Sequence, residues 1–275
     1  MYINLTNRAL LKISGADAED FLQNQLSNDI SKLDNFNVQL NAYCQHQGKI
    51  IGLFWVMRNE DYFYLSFPSD LINKIKARLQ MFVIMSDVLI DNVSEEFSQI
   101  GLIDEEEPES FFIDERMSLL ITTSKEKKAL NSANADEWTK ASIDSQLPEV
   151  FLSTSEKFVP QMLNLDIDEF GVNFSKGCYP GQEVVARLHY LGEAKRRLFS
   201  FQCDSEVQIG DNLYCSSSNA AKARADRYKG SGMVVNKVKY NSKFYCLATL
   251  DVDLKDEKIT INNESGQILT RINNE

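Results

Sequence analysis

The order of the periodicities in this chain limits its fold more than any other feature. Strand-like segments come in runs: Tyr2 to Thr6 and Ala9 to Ile13, then the alternating Val38 to Cys44, the apolar Ile50 to Met57, and Tyr62 to Phe67. Segments with apolar residues at helical spacing interrupt them irregularly. Asp17 to Leu26 carries Ala18, Phe21, Leu22 and Leu26 on one stripe, after Ser14-Gly15-Ala16-Asp17 with the spacing of a capping box. Ser69 is placed to cap a second helix, in which Leu71, Ile72, Ile75, Leu79 and Phe82 share a face and Lys74, Lys76 and Arg78 lie outside. Short strands follow at Val88 to Ile90, Ser98 to Ile103 and Ser118 to Thr122, then helices near Lys125 to Ala133 and Asp136 to Ile143. From Leu198 only short β runs remain: Leu198 to Cys203, Leu213 to Cys215, Met233 to Val238, Phe244 to Leu250, Lys258 to Ile261 and Gln267 to Ile272. Strands and helices that do not alternate one for one argue against a parallel doubly wound fold. The class is α+β, with mostly antiparallel sheets and a C-terminal β-barrel or sandwich. Ser216 to Asp226, rich in Ser, Ala and charge, reads as a mobile loop between barrel strands.

Composition narrows the function classes. With 275 residues the chain can bury a core without staples, and 43% hydrophobic and 25% charged residues are ordinary globular values. No stretch approaches the ~18 consecutive apolar residues of a membrane helix, and Met1 to Asp20 lacks the pattern of a secretory leader, so a cytoplasmic protein is expected. Five cysteines (Cys44, Cys178, Cys203, Cys215 and Cys246) are an odd number without a CxxC pair, which suggests neither a disulfide framework nor a thiolate metal site. Cys44 and His46 offer two ligands without a second pair, so no metal site is expected. The net charge of -11 is concentrated: Asp87, Asp91, Glu95, Glu96, Asp104 to Glu107, Glu109, Asp114 and Glu115 fall in a window with no Lys or Arg. Stable direct binding to nucleic acid is therefore not expected, although Arg187 to Lys229 is mildly basic.

The least ordinary stretch is Lys176-Gly177-Cys178-Tyr179-Pro180-Gly181-Gln182-Glu183-Val184-Val185-Ala186-Arg187. Two glycines and a proline within six residues force a tight loop, and Val184, Val185 and Leu188 suggest a helix beginning near Gln182. The loop would deliver Cys178 to a helix start, where free amides and the positive end of the helix stabilise a thiolate, helped by Lys176 and Arg187 if they fold close. Cys178 is the candidate reactive thiol; its alternative fate is a small buried hydrophobe.

These residues closely resemble the KGCYxGQExxAR motif of the YgfZ family, folate-binding proteins related to the glycine-cleavage T-protein and linked to iron-sulfur enzyme maintenance and tRNA modification. The resemblance extends to Ile13-Ser14-Gly15-Ala16-Asp17 with Phe21 to Asp29, to Gly48-Lys49, to Pro160, Asn164 and Leu165, and to Gly210 to Tyr214 and Gly230 to Val234. It implies a three-domain, ring-like fold around a central hole that holds tetrahydrofolate or a one-carbon derivative. The implied domains are a discontinuous folate-binding domain (1–48 plus 140–197), an inserted α+β domain (49–139) and a C-terminal β-barrel (198–275). It also implies cofactor-binding roles around Cys178 for Lys176, Tyr179, Gln182, Glu183 and Arg187, with Gln161 and Asn164 upstream, and iron-sulfur enzymes, including those that thiomethylate tRNA, as partners.

Two departures bear on activity. The T-protein uses an aspartate pair a few residues after the turn that lines up with Gly48, and the matching positions here are Gly52 and Leu53. An aminomethyltransferase would lack its key carboxylate. Many YgfZ members carry a Glu where this chain has Met162, and a thioether accepts hydrogen bonds poorly, leaving Gln161 as the substitute for the amino-pterin edge. Arg187, Lys195, Arg196 and Arg197 are candidates to face a folate glutamate tail. The expectation is a folate-binding accessory protein; the alternative is a one-carbon transferase with Cys178 as nucleophile and His189 or Glu183 as base.

Overall fold

The computed structural model describes residues 1–84, 86–105, 107–123, 134–215 and 231–272. The helix expected near Lys125 to Ala133 and the loop expected at Ser216 to Asp226 lie outside the described residues.

The N-terminal part is built on a five-stranded antiparallel sheet. Its strands are β2 (Arg8–Ser14), β3 (Val38–Cys44), β4 (Ile50–Asn59), β5 (Tyr62–Pro68) and β6 (Leu89–Asn92), in the order β3-β4-β5-β2-β6. β4 shows why the sequence of this sheet does not alternate cleanly. Ile51, Phe54 and Val56 pack with helices α1 (Ala18–Gln25) and α2 (Ile72–Gln80), while Leu53, Trp55 and Met57 face a second core. A strand covered on both faces reads as a near-continuous apolar run.

The expected helix caps are not formed by their side chains. Asp17 precedes α1, but its carboxylate accepts from the amide of Asp87 at 2.8 Å and so ties α1 to the approach to β6. Ser69 begins a 3-10 turn (Ser69–Leu71) that runs into α2, and Phe82 lies beyond the helix, partly exposed.

A four-stranded antiparallel sheet forms the other wall of the second core. It consists of β1 (Tyr2–Asn4), β7 (Phe97–Ile103), β8 (Phe111–Phe112) and β9 (Met117–Thr123), ordered β1-β7-β9-β8. Helix α3 (Ala135–Asp144) lays Trp138 against Gly101 of β7 and against Trp55, with the two indole centroids 5.8 Å apart. A boundary at residues 48–49 falls inside the β3–β4 hairpin, and strands on both sides of it share one sheet.

The C-terminal part is a closed antiparallel barrel of β10 (Arg196–Cys203), β11 (Asn212–Cys215), β12 (Gly232–Tyr240), β13 (Lys243–Asp251), β14 (Ile259–Ile261) and β15 (Ile268–Ile272). Pairing of Phe201 with Arg271 is part of the β10–β15 ladder that closes it. A bulge interrupts the β12–β13 ladder between Val234 and Asn236, and the alternation of the strand sends Val234 into the barrel and Val235 outward into the second core. No helix among the described residues is long and apolar enough to cross a membrane.

Candidate functional site

The segment 159–182 crosses between the sheets and the barrel before α4 (Gln182–Leu191) begins. The N-terminal block anchors it. Ser27 donates its hydroxyl to the Gly171 carbonyl at 2.6 Å and accepts the Ala42 amide at 2.8 Å, while its own carbonyl takes the Asn173 amide. Asn28 donates to the Leu40 carbonyl and to the Phe170 carbonyl. Asn41 accepts the Asn28 amide at 2.9 Å. These buried amides convert the resemblance at Phe21 to Asp29 into a physical role: they seat the loop that leads to Cys178. Nothing in the local sequence around Ser27, Asn28, Asn41 or Asn173 announces these roles, because their partners lie on other segments of the chain.

Lys176 departs from expectation most clearly. It is buried and donates to the carbonyls of Gln23 (2.6 Å), Leu26 (2.6 Å) and Asn28 (2.8 Å), the open carbonyls around the C-terminal end of α1. Burial pulls its pKa down to about 8, with Asp29 opposing the shift. Tyr179 is buried as well, its ring 5.5 Å from the Lys176 ammonium, and burial raises its phenol pKa. Both side chains are buried parts of the loop.

Between them Cys178 is exposed. The other four cysteines are buried, and burial pushes the Cys44 thiol up to about 12 and raises those of Cys203 and Cys246. The loop therefore presents one accessible thiol. It is followed by Gly181, held at φ 84°, where an added Cβ would lie 2.4 Å from the Gln45 carbonyl oxygen and 2.8 Å from Gly48 Cα. The β3–β4 turn thus presses directly on the loop, which joins the Gly48-Lys49 match to the twelve-residue motif in space. α4 begins at Gln182 as its apolar pattern requires, with Val185 buried and Glu183 and Arg187 exposed.

Upstream, Gln161 is 1% exposed. Its Nε2 donates to the Val185 carbonyl at 2.8 Å, and its Oε1 has no partner among the described residues. Met162, partly buried, packs against the second core. Asn164, in a left-handed conformation, pairs through both side-chain ends with the Leu198 backbone and so clamps the segment to β10. Arg197 is likewise committed, to Asp166 at 2.5 and 3.0 Å and to the Gln161 carbonyl at 3.1 Å, and Arg196 pairs with Asp251. Of the four basic residues expected to face a glutamate tail, Arg187 and Lys195 are exposed.

His189 stacks face to face on Phe174, with centroids 3.7 Å apart, and Tyr190 meets both rings edge-on. Among the described residues no hydrogen bond joins Cys178 to His189 or Glu183. The positions matching the T-protein aspartates are apolar and covered: Leu53 is buried, and a Cβ on Gly52 would meet Ile75 and Phe54.

No family profile matches the chain. An uncharacterized protein of Haemophilus influenzae is 34% identical over 222 residues, covering 77% of this chain and 78% of its own length. The tRNA-modifying protein YgfZ of Colwellia psychrerythraea is 29% identical, covering 82% of this chain and 81% of that protein, and that of Photorhabdus laumondii is 26% identical, covering 98% and 90%. In three dimensions the chain resembles the glycine cleavage system aminomethyltransferase T of Bartonella henselae, with a TM-score of 0.71 at 10% identity over 98% of this chain and 84% of that one, which shows a shared fold. The clamped loop around an exposed cysteine, the T-protein-like architecture and these relatives together make the chain a member of the YgfZ family.

Proposed function

We propose that this protein is a folate-binding accessory factor in tRNA modification, which supports assembly or repair of iron-sulfur clusters in partner enzymes, including those that thiomethylate tRNA. The link to tRNA rests on the names of the relatives. The observation that carries an accessory role is Cys178, one exposed thiol among five cysteines, held on a loop fixed from below by Lys176 and Gly181. A thiol so presented suits contact with a partner's soft metal or sulfur centre. Without a hydrogen-bonded base it is poorly equipped for turnover as a nucleophile. The apolar surroundings of Gly52 and Leu53 speak in the same direction, because aminomethyl transfer on this scaffold uses carboxylates there.

Tetrahydrofolate supplies one-carbon-carrying ring nitrogens and an amino-pterin edge of N–H donors. The residues present fit that group at one point: Gln161 Oε1 is a buried acceptor with no partner among the described residues, a state that costs free energy until a donor arrives. Arg187 and Lys195, exposed after the loop, suit the carboxylates of a glutamate tail.

The tRNA role is tested in cells that lack this protein, by measuring methylthio-modified nucleosides in bulk tRNA. Wild-type protein is expected to restore the modification, and folded Cys178→Ala is expected to leave it low. Failure of the wild type to restore it, or full restoration by the alanine variant, overturns the reading.

A further inference from the structure

A second site lies at the other end of β4. The ten residues of that strand, at about 3.3 Å each, separate the turn under Cys178 from the β4–β5 turn by roughly 30 Å. There, between the two sheets, is a cavity of about 330 Å³, within the size range of small-molecule pockets. Its walls include Tyr62, Tyr64 and Phe111, and its rim carries Phe36, Glu60 and Glu109.

Three observations set the chemistry of an occupant. The wall is aromatic: Tyr62 and Tyr64 meet edge-on at 5.1 Å and bring their hydroxyls within 3.4 Å of each other. Lys12 sits 4.0 Å over the Tyr62 ring. Lys12 is not among the residues that line the cavity, and the charge left among those that do is negative. Arg58 also lines the cavity, but it is bound to Glu19 at 2.8 Å and lies over the Phe63 ring, so Glu60 and Glu109 face solvent without it. Finally, Phe36 is 56% exposed although it is a phenylalanine with φ 66°, a conformation that side chains bearing a Cβ disfavour. The chain enforces it: the Phe36 carbonyl accepts the Phe112 amide at 2.7 Å, and bridges Asn35–Arg58 and Asn37–Phe112 fix both neighbours. Its ring, 6.4 Å from that of Phe111, gains little burial in return.

We infer that this cavity binds a planar nitrogen heterocycle bearing an amino group, stacked by the exposed ring of Phe36, bordered by Tyr62 and held through its amino hydrogens by Glu60 and Glu109. Such rings pair with aromatic side chains through their faces, and carboxylates accept from exocyclic amines. Nucleobases and free pterins share that chemistry. This site is independent of the folate reading at Gln161.

Calorimetric titration with adenosine, with 2-amino-4-oxopteridine and with uridine, which lacks an exocyclic amine, tests the inference. Adenosine or the aminopteridine should bind with a dissociation constant below about 1 mM, uridine should not, and Phe36→Ala and Glu109→Gln should each weaken binding about tenfold. Both substitutions are on exposed residues and leave the fold intact, which thermal melting verifies. Binding of adenosine alone assigns a nucleobase, and binding of the pteridine alone assigns a pterin. No binding, equal binding of uridine, or binding that Gln161→Leu abolishes and the rim variants leave unchanged overturns the second site; the last result supports the folate reading.

Discussion

Lys176 is a buried ammonium that acts as a clamp. Three backbone carbonyls, from Gln23, Leu26 and Asn28, receive its three protons, so one side chain closes the end of α1 and fixes the start of the cysteine loop some 150 residues later. Replacing it by methionine preserves much of the volume and leaves buried acceptors unpaired, which predicts a loss of about 1–3 kcal/mol in urea unfolding. The pH dependence has a definite sign. The folded pKa, about 8, lies below the ordinary 10.5, so between those values the folded chain holds fewer protons than the unfolded one, and this group's contribution to stability grows as pH rises. The gap in melting temperature between wild type and Lys176→Met is expected to widen from pH 7 to pH 9.5; a gap that narrows contradicts the assignment. The adjacent Cys178 makes a simpler prediction. Native protein treated with iodoacetamide should take up one equivalent, and unfolded protein five, with mass spectrometry placing the native label on Cys178.

The elements around the loop separate what the sequence reveals from what it conceals. Helix α4 at Gln182, most strands of both sheets and the barrel strands announce themselves through local apolar patterning, whereas the two-residue β8 is too short to carry one. The site was legible as a motif, and Cys178 stands exposed. What could not be read were the partners of Lys176, Asn164 and Arg197, since each meets a group supplied by a distant segment: Leu26, Leu198 and Asp166. A basic cluster in sequence gives no hint that two of its arginines are already paired. The two glycines of the loop make the same distinction testable. Gly181→Ala combines a left-handed φ with a Cβ inside the Gln45 carbonyl, and should cost about 1–3 kcal/mol, whereas a Cβ on Gly177 meets nothing within 4 Å. Urea unfolding should find Gly181→Ala destabilised and Gly177→Ala within about 0.5 kcal/mol of wild type; equal effects would mean the turn does not press on the loop.

Across the whole molecule, the largest core is shared and not partitioned. Trp55 of the five-stranded sheet, Leu119 of the four-stranded sheet, Trp138 of α3, Leu165 of the crossing segment and Val235 of the barrel belong to it together. A buried ion pair reinforces the junction: Arg8, stacked 3.9 Å over Trp55 and bonded to Ser66, meets Glu149, whose amide is held by Asn236 of the barrel. Glu149→Ala strands the arginine and is expected to cost about 3–5 kcal/mol, lowering the urea midpoint in one transition because the parts share a core; separate transitions would show that they fold apart. On this rigid frame the account places two groups with different tasks: Gln161, inside with an unpaired oxygen, and Cys178, outside with an exposed sulfur. Calorimetric titration of the reduced protein with tetrahydrofolate, alongside Cys178→Ala and Gln161→Leu, tests that division most directly. The account predicts saturable binding that Cys178→Ala retains and Gln161→Leu weakens about tenfold. Absence of binding in the wild type, or binding lost with the cysteine and indifferent to the glutamine, contradicts it.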